Sequence, residues 1–139
     1  MKTETIILPI HPRHVEKILT GEKQYEYRKR IPDNLRFIIV YSTAPVSKIT
    51  ALIEVAEVIK GDPDTLWRIT REHSGISNDF FEKYFADCNL SFAIKIKRVF
   101  KIKPEQPIDL LGVKKAPQSY IYIDKNIGEL KSLLSIDSV

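Results

Sequence analysis

The chain has 139 residues, 43% hydrophobic and 29% charged, with a net charge of +4 and a pI near 9.1. That length can bury its own core, so a single domain spanning residues 1–139 is expected, without support from disulfides or metals. Cys88 is the only cysteine, which excludes an intrachain disulfide and a cysteine-based zinc site. No apolar run approaches the roughly 20 residues of a membrane span, and Pro9 interrupts the short N-terminal one, so a cytoplasmic location with no membrane partner is expected.

In chain order, Thr5–Leu8 reads as a strand. A short helix follows, with Pro12 at its first position, Val15, Ile18 and Leu19 on one face, and Gly21 as its stop. Gln24–Arg28 is extended, and Phe37–Ser42 is a β-branched buried strand. Ile49–Val58 is another, with Ile49, Ala51, Ile53 and Val55 alternating along one face. Asp64 is placed to cap a helix running through His73, with Trp67 its apolar anchor and Gly75 its end. Ser77 caps a second helix, whose Phe80, Phe81, Tyr84 and Phe85 form a helix-spaced stripe read as core packing. Ser91–Lys103 alternates, with Ile94, Ile96, Phe100 and Ile102 inward and Lys95, Lys97 and Lys101 outward. Tyr120–Ile123 closes the strands, and Asn126 caps a last helix. Strands and helices without regular βαβ alternation predict an α+β domain with a curled or barrel-like sheet.

The chemistry concentrates in Gly21–Arg30. Gly21 frees the chain to turn, and Lys23 is placed at that turn, where its ammonium reaches out as a point charge. Glu26 and Arg28 are two apart on a strand and therefore share a face, offering an acceptor beside a rigid donor fork. Such a pair suits a base edge or a phosphate. It equally suits an exposed strand ion pair of little energetic consequence. Tyr25 and Tyr27 fall on the opposite face, where at least one belongs to the core. His11 and His14 are read as a helix cap and a solvent-facing residue rather than as metal ligands, so no metal is expected. No phosphate loop or dinucleotide fingerprint occurs, and no cofactor is expected. Arg30, Lys95, Lys97 and Lys101 form a candidate nucleic-acid surface.

Gly21, Lys23, Glu26 and Arg28 resemble the G-x-K-x-x-E-x-R signature that opens ASCH domains, of the PUA-like superfamily. Gly75-Ile76-Ser77, Phe81–Phe85 and Ala116-Pro117-Gln118-Ser119-Tyr120 are similar to a branch described as PUA-like transcriptional regulators. The resemblance implies a twisted antiparallel β-barrel with peripheral helices. It also implies a cleft in which Lys23, Glu26 and Arg28 meet, with Gln118 and Ser119 on the rim.

Relatives of this kind include readers of RNA and RNA-directed enzymes, so fold alone does not settle activity. One group removes the acetyl group from acetylated cytidine with a lysine after the glycine, a threonine three residues on and a downstream glutamate. Lys23 matches the lysine, Glu26 replaces the threonine, and only Glu72, His73 and Ser74 fall near the third position. The expected function is a binding module for RNA or a nucleotide-like ligand, modified bases included. The alternative is a hydrolase of RNA or modified nucleosides, an ASCH-type amidohydrolase or ribonuclease, with Lys23 and Glu26 as the reactive pair.

Overall fold

A computed structural model of the chain describes residues 5–32 and 34–136; the remaining residues of the expected 1–139 domain lie outside the described residues. The elements run β1 (Thr5–Ile10), α1 (Pro12–Thr20), β2 (Tyr25–Arg28), β3 (Phe37–Ser42), β4 (Lys48–Gly61), α2 (Pro63–Thr70), α3 (Asn78–Tyr84), β5 (Ser91–Gln106), β6 (Ile121–Tyr122) and α4 (Ile127–Leu133). All strands join one sheet in the order β2-β5-β4-β3-β1-β6. β1 lies parallel to β3, and the other neighbours are antiparallel. The expected α+β, mostly antiparallel architecture is therefore present, as a curled half-barrel with β2 and β6 at its edges. No described helix is long and apolar enough to cross a membrane.

Both faces of the sheet are covered, as the period of two requires. Ile6, Leu8 and Ile10 of β1 and Ile38 and Val40 of β3 pack with Val15 and Ile18 of α1. Ile7, Ile39 and Tyr41 face the other way, onto Leu130 of α4 and the neighbouring Leu134. Tyr27 and Ala93 meet Leu66 of α2 and Phe81 of α3 at the β2 end. The expected single-face alternation of β4 fails at one point: register shifts between Ile49 and Ala51, and Ile49 joins Leu52 on the α4 side, away from Ala51, Ile53 and Val55. A bulge adds a residue to one strand, so side chains on its two sides fall out of step with strict alternation.

The helix ends obey local chemistry. Pro12 opens α1, and Gly21 ends it at φ 86°, the left-handed conformation that glycine adopts without a Cβ penalty. Ser77 caps α3, and Asn126 caps α4, its side chain accepting from the Glu129 N–H while its own N–H donates to the Glu129 carboxylate. The cap of α2 is Asp62 rather than Asp64. Its side chain accepts from the Thr65 backbone because Pro63, which needs no N–H partner, takes the first helical position. Hydrogen bonds from Thr65 hold the Asp62 carboxyl below its usual range. That helix gives way at Thr70 to a 3-10 turn over Arg71–His73, and Leu66, not Trp67, is its fully buried anchor.

Candidate functional site

Leaving Gly21, the chain folds back along α1, and the Lys23 N–H donates to the Lys17 carbonyl at 3.0 Å. That contact turns the Lys23 side chain inward. Only 2% of the residue is exposed, so the expected solvent-reaching point charge is not what forms. Its Nζ donates to the Ser74 carbonyl at 2.8 Å, lies 3.7 Å from Glu26 Oε1, and sits 5.0 Å from the centre of the Tyr27 ring. The Arg71–Ile76 bend makes the enclosure. Gln24 N–H donates to His73 O, Lys17 Nζ donates to Gly75 O, and Gly75 at φ 69° lies directly against the Lys23 stem.

Glu26 is the hub. It too is buried, and it is held between two cations, Lys23 on Oε1 and Arg28 on Oε2. Arg28 donates to that Oε2 through Nη2 at 2.9 Å and Nε at 3.2 Å, and Nη2 also donates to the Pro9 carbonyl at 2.7 Å. The shared strand face predicted for Glu26 and Arg28 is therefore an actual contact, supported by β2 pairing with β5 through Glu26–Ile94 and Arg28–Phe92. Burial pulls the Lys23 amine below its ordinary range, and the Glu26 carboxylate opposes that pull. A buried charge without its partner is costly, so the three side chains form one interdependent unit.

At the open edge of β2 the unit borders a cavity of about 160 Å³, walled by His14 of α1 and by Ile76, Phe80 and Tyr84 from the α3 side. Two expectations are corrected here. His14 lines this cavity rather than facing solvent, because α1 packs Val15 and Ile18 on the sheet and turns the residue before them to the β2 edge. The Phe80–Phe85 stripe divides: Phe81 and Phe85 are core, whereas Phe80 is 42% exposed and Tyr84 half-buried, both on the cavity wall. The His14 ring meets Phe80 edge-on at 5.6 Å, and its Nδ1 is buried without a hydrogen-bond partner. Burial, more than the nearby charges, lowers the His14 pKa below 6.5. Nothing in the sequence marked His14 for this place.

Arg28 and Tyr84 also line an adjoining cavity of about 310 Å³, completed by Lys29, Arg30, Gln118 and Ser119. Gln118 and Ser119 thus line this second cavity with Arg28, and not the one that Lys23 and Glu26 border. Lys29 Nζ sits 5.1 Å from the centre of the Tyr84 ring. Lys95 lies elsewhere: it pairs with Tyr25, on the sheet face opposite Glu26. Lys95, Lys97 and Lys101 are exposed as expected, but Lys97 and Arg98 both engage Glu54, at 3.7 and 2.8 Å. Among the described residues no group of three side chains could hold a metal ion.

Residues 8–100 match the model of the ASCH domain. Across 95% of this chain and 91% of the relative, the sequence is 26% identical to an ASCH domain-containing ribonuclease of Zymomonas mobilis. It is 25% identical to the large ribosomal subunit protein uL22 of Ureaplasma parvum over 87% of this chain, but only 40% of that protein's length. The crystal structure of ASCH from Zymomonas mobilis superposes with a TM-score of 0.82 at 23% identity, covering 97% of this chain and 96% of that one. A point mutant of that protein gives 0.81, covering 97% and 99%.

Proposed function

Because this chain belongs to the ASCH domain family, we propose that it binds single-stranded RNA or a nucleotide-like ligand at the β2 edge, with Arg28 as the anchor. One observation carries the reading: Arg28 stands on the wall shared by the two cavities, with Lys29 and Arg30 beside it. Its Nε and Nη2 are held by Glu26 and Pro9, which fixes the guanidinium plane and leaves Nη1 uncommitted among the described residues. A pre-oriented guanidinium suits a phosphate or a base edge. Tyr84 and Phe80 supply aromatic surface on which an unstacked base can lie. The test is incubation of the purified protein with short RNAs and modified nucleosides, then mass spectrometry and a binding assay. Salt-sensitive binding with unchanged RNA is the expected result.

A second reading, RNA hydrolysis, is favoured by His14 and by the ribonuclease name of the Zymomonas relative. The polar ends of Lys23 and Glu26 are committed to Ser74, Arg28 and each other, so they suit positioning better than reaction. His14, kept neutral near pH 7 by burial, suits the base that takes a proton from a 2′-hydroxyl. Attack of that oxygen on phosphorus would break the bond to the 5′-oxygen of the next nucleotide, which takes up a proton as it leaves. Products ending in a 2′,3′-cyclic phosphate, formed by wild type but not by His14→Ala, would select this reading over simple binding.

A further inference from the structure

A cavity of about 590 Å³ opens between the start of α2, the other side of α3 and the loop before β5, and it shares no lining residue with the cleft. Its floor is aromatic. Trp67 is half-buried and lies 4.7 Å from Phe81 with the rings tilted by 39°, and Phe85 packs behind Phe81. Its rim is acidic. Asp62 is occupied as the α2 cap, but Asp64 and Glu82 are exposed and engage no partner among the described residues. Arg68 is the one cation on this lining, and it donates to Thr65. In a chain of net charge +4, an aromatic hollow rimmed by uncommitted carboxylates is locally complementary to a cation.

We propose that this cavity is a docking site for an arginine side chain presented by a protein partner. A guanidinium is flat and weakly hydrated, so it can stack on the Trp67 indole while its N–H fork meets the Asp64 or Glu82 carboxylate. Lysine brings the charge but not the plane. RNA phosphates are repelled by the same carboxylates, so this surface is independent of the nucleic-acid reading.

Trp67 is the only tryptophan in the chain, so its fluorescence reports on this cavity alone. The experiment titrates the protein with a short arginine-rich peptide and with its lysine counterpart at low salt. The expected result is a saturable change in Trp67 emission with the arginine peptide, and weaker binding of the lysine peptide. Asp64→Asn/Glu82→Gln should weaken the arginine peptide by about fivefold or more, as loss of charge-assisted contacts implies. Both positions are exposed, so the variant is expected to keep its fold, checked by an unchanged thermal transition. No saturable change in wild type, equal binding of the two peptides, or undiminished binding in the double variant would each overturn the proposal.

Discussion

A β-carbon added to Gly75 would lie 2.5 Å from Cβ of Lys23 and 2.6 Å from its Cγ. The bend that buries Lys23 therefore requires glycine twice over, for this close approach and for its φ of 69°. Gly21 shares only the second requirement, having nothing within 4 Å of its virtual Cβ. Gly75→Ala should cost about 2–4 kcal/mol, summing backbone strain and overpacking, and Gly21→Ala about 1 kcal/mol. Urea denaturation of both variants measures the difference; equal losses would show that the Gly75 bend yields freely.

Glu26 holds two cations, so removing it differs from removing either one. Glu26→Gln leaves Lys23 and Arg28 facing each other without a counter-charge, at a cost of about 3–5 kcal/mol. Lys23→Met leaves Glu26 still paired with Arg28 and mainly strands the Ser74 carbonyl, at about 1–3 kcal/mol. Chemical denaturation should rank Glu26→Gln below Lys23→Met, and the reverse order would mean that the lysine is the hub.

Sequence reading recovered what local chemistry decides and missed what distant segments decide. Pro12, Gly21, Ser77 and Asn126 set their helix ends through their own backbone and side-chain preferences, and each stands where it was expected. Asp62 was missed because Asp64 offers the same side chain two residues later, and only Pro63 discriminates between them. The contact of Glu26 with Arg28 is a consequence of the strand period. Burial of Lys23 is not, since it depends on Ser74 and Gly75, some fifty residues on. The same holds for His14, whose surroundings depend on β2 and α3 arriving beside α1. The bulge that turns Ile49 over has no signature in composition.

The His14 pKa, lowered mainly by burial, has a signed consequence for stability. Above its ordinary value of 6.5 the ring is neutral in both states and contributes no pH dependence. As pH falls below that value, the unfolded chain takes up the proton first, so stability is lost down through the lower folded pKa. His14→Gln lacks this effect. Thermal unfolding at pH 7.5 and pH 5 should show a larger acid loss for wild type than for the variant, and identical losses would contradict a buried, neutral His14.

The lysines of β5 and the arginine of β2 should act separately on RNA, since Lys95, Lys97 and Lys101 line neither of the cavities that Arg28 walls. Replacing Lys95, Lys97 and Lys101 with alanine should weaken binding across sequences. It should flatten the salt slope by at most about 2, given about 0.7 per phosphate on single strands. The contribution of Lys97 is reduced by its contact with Glu54. An unchanged slope in filter binding would mean that these lysines are only a solvated surface of the sheet.

Whether Arg28 anchors RNA is decided by fluorescence anisotropy of a labelled single-stranded RNA, with wild type and Arg28→Ala at two salt concentrations. An anchoring Arg28 predicts salt-sensitive binding by wild type and a loss of about 1–3 kcal/mol in the variant, roughly 5- to 150-fold in Kd. The loss should persist at the higher salt, because a contact made by the part-buried, pre-oriented guanidinium is screened less than an exposed, diffuse one. Salt-sensitive binding that Arg28→Ala leaves intact, or no binding by wild type at micromolar protein, would contradict an RNA anchor at this position.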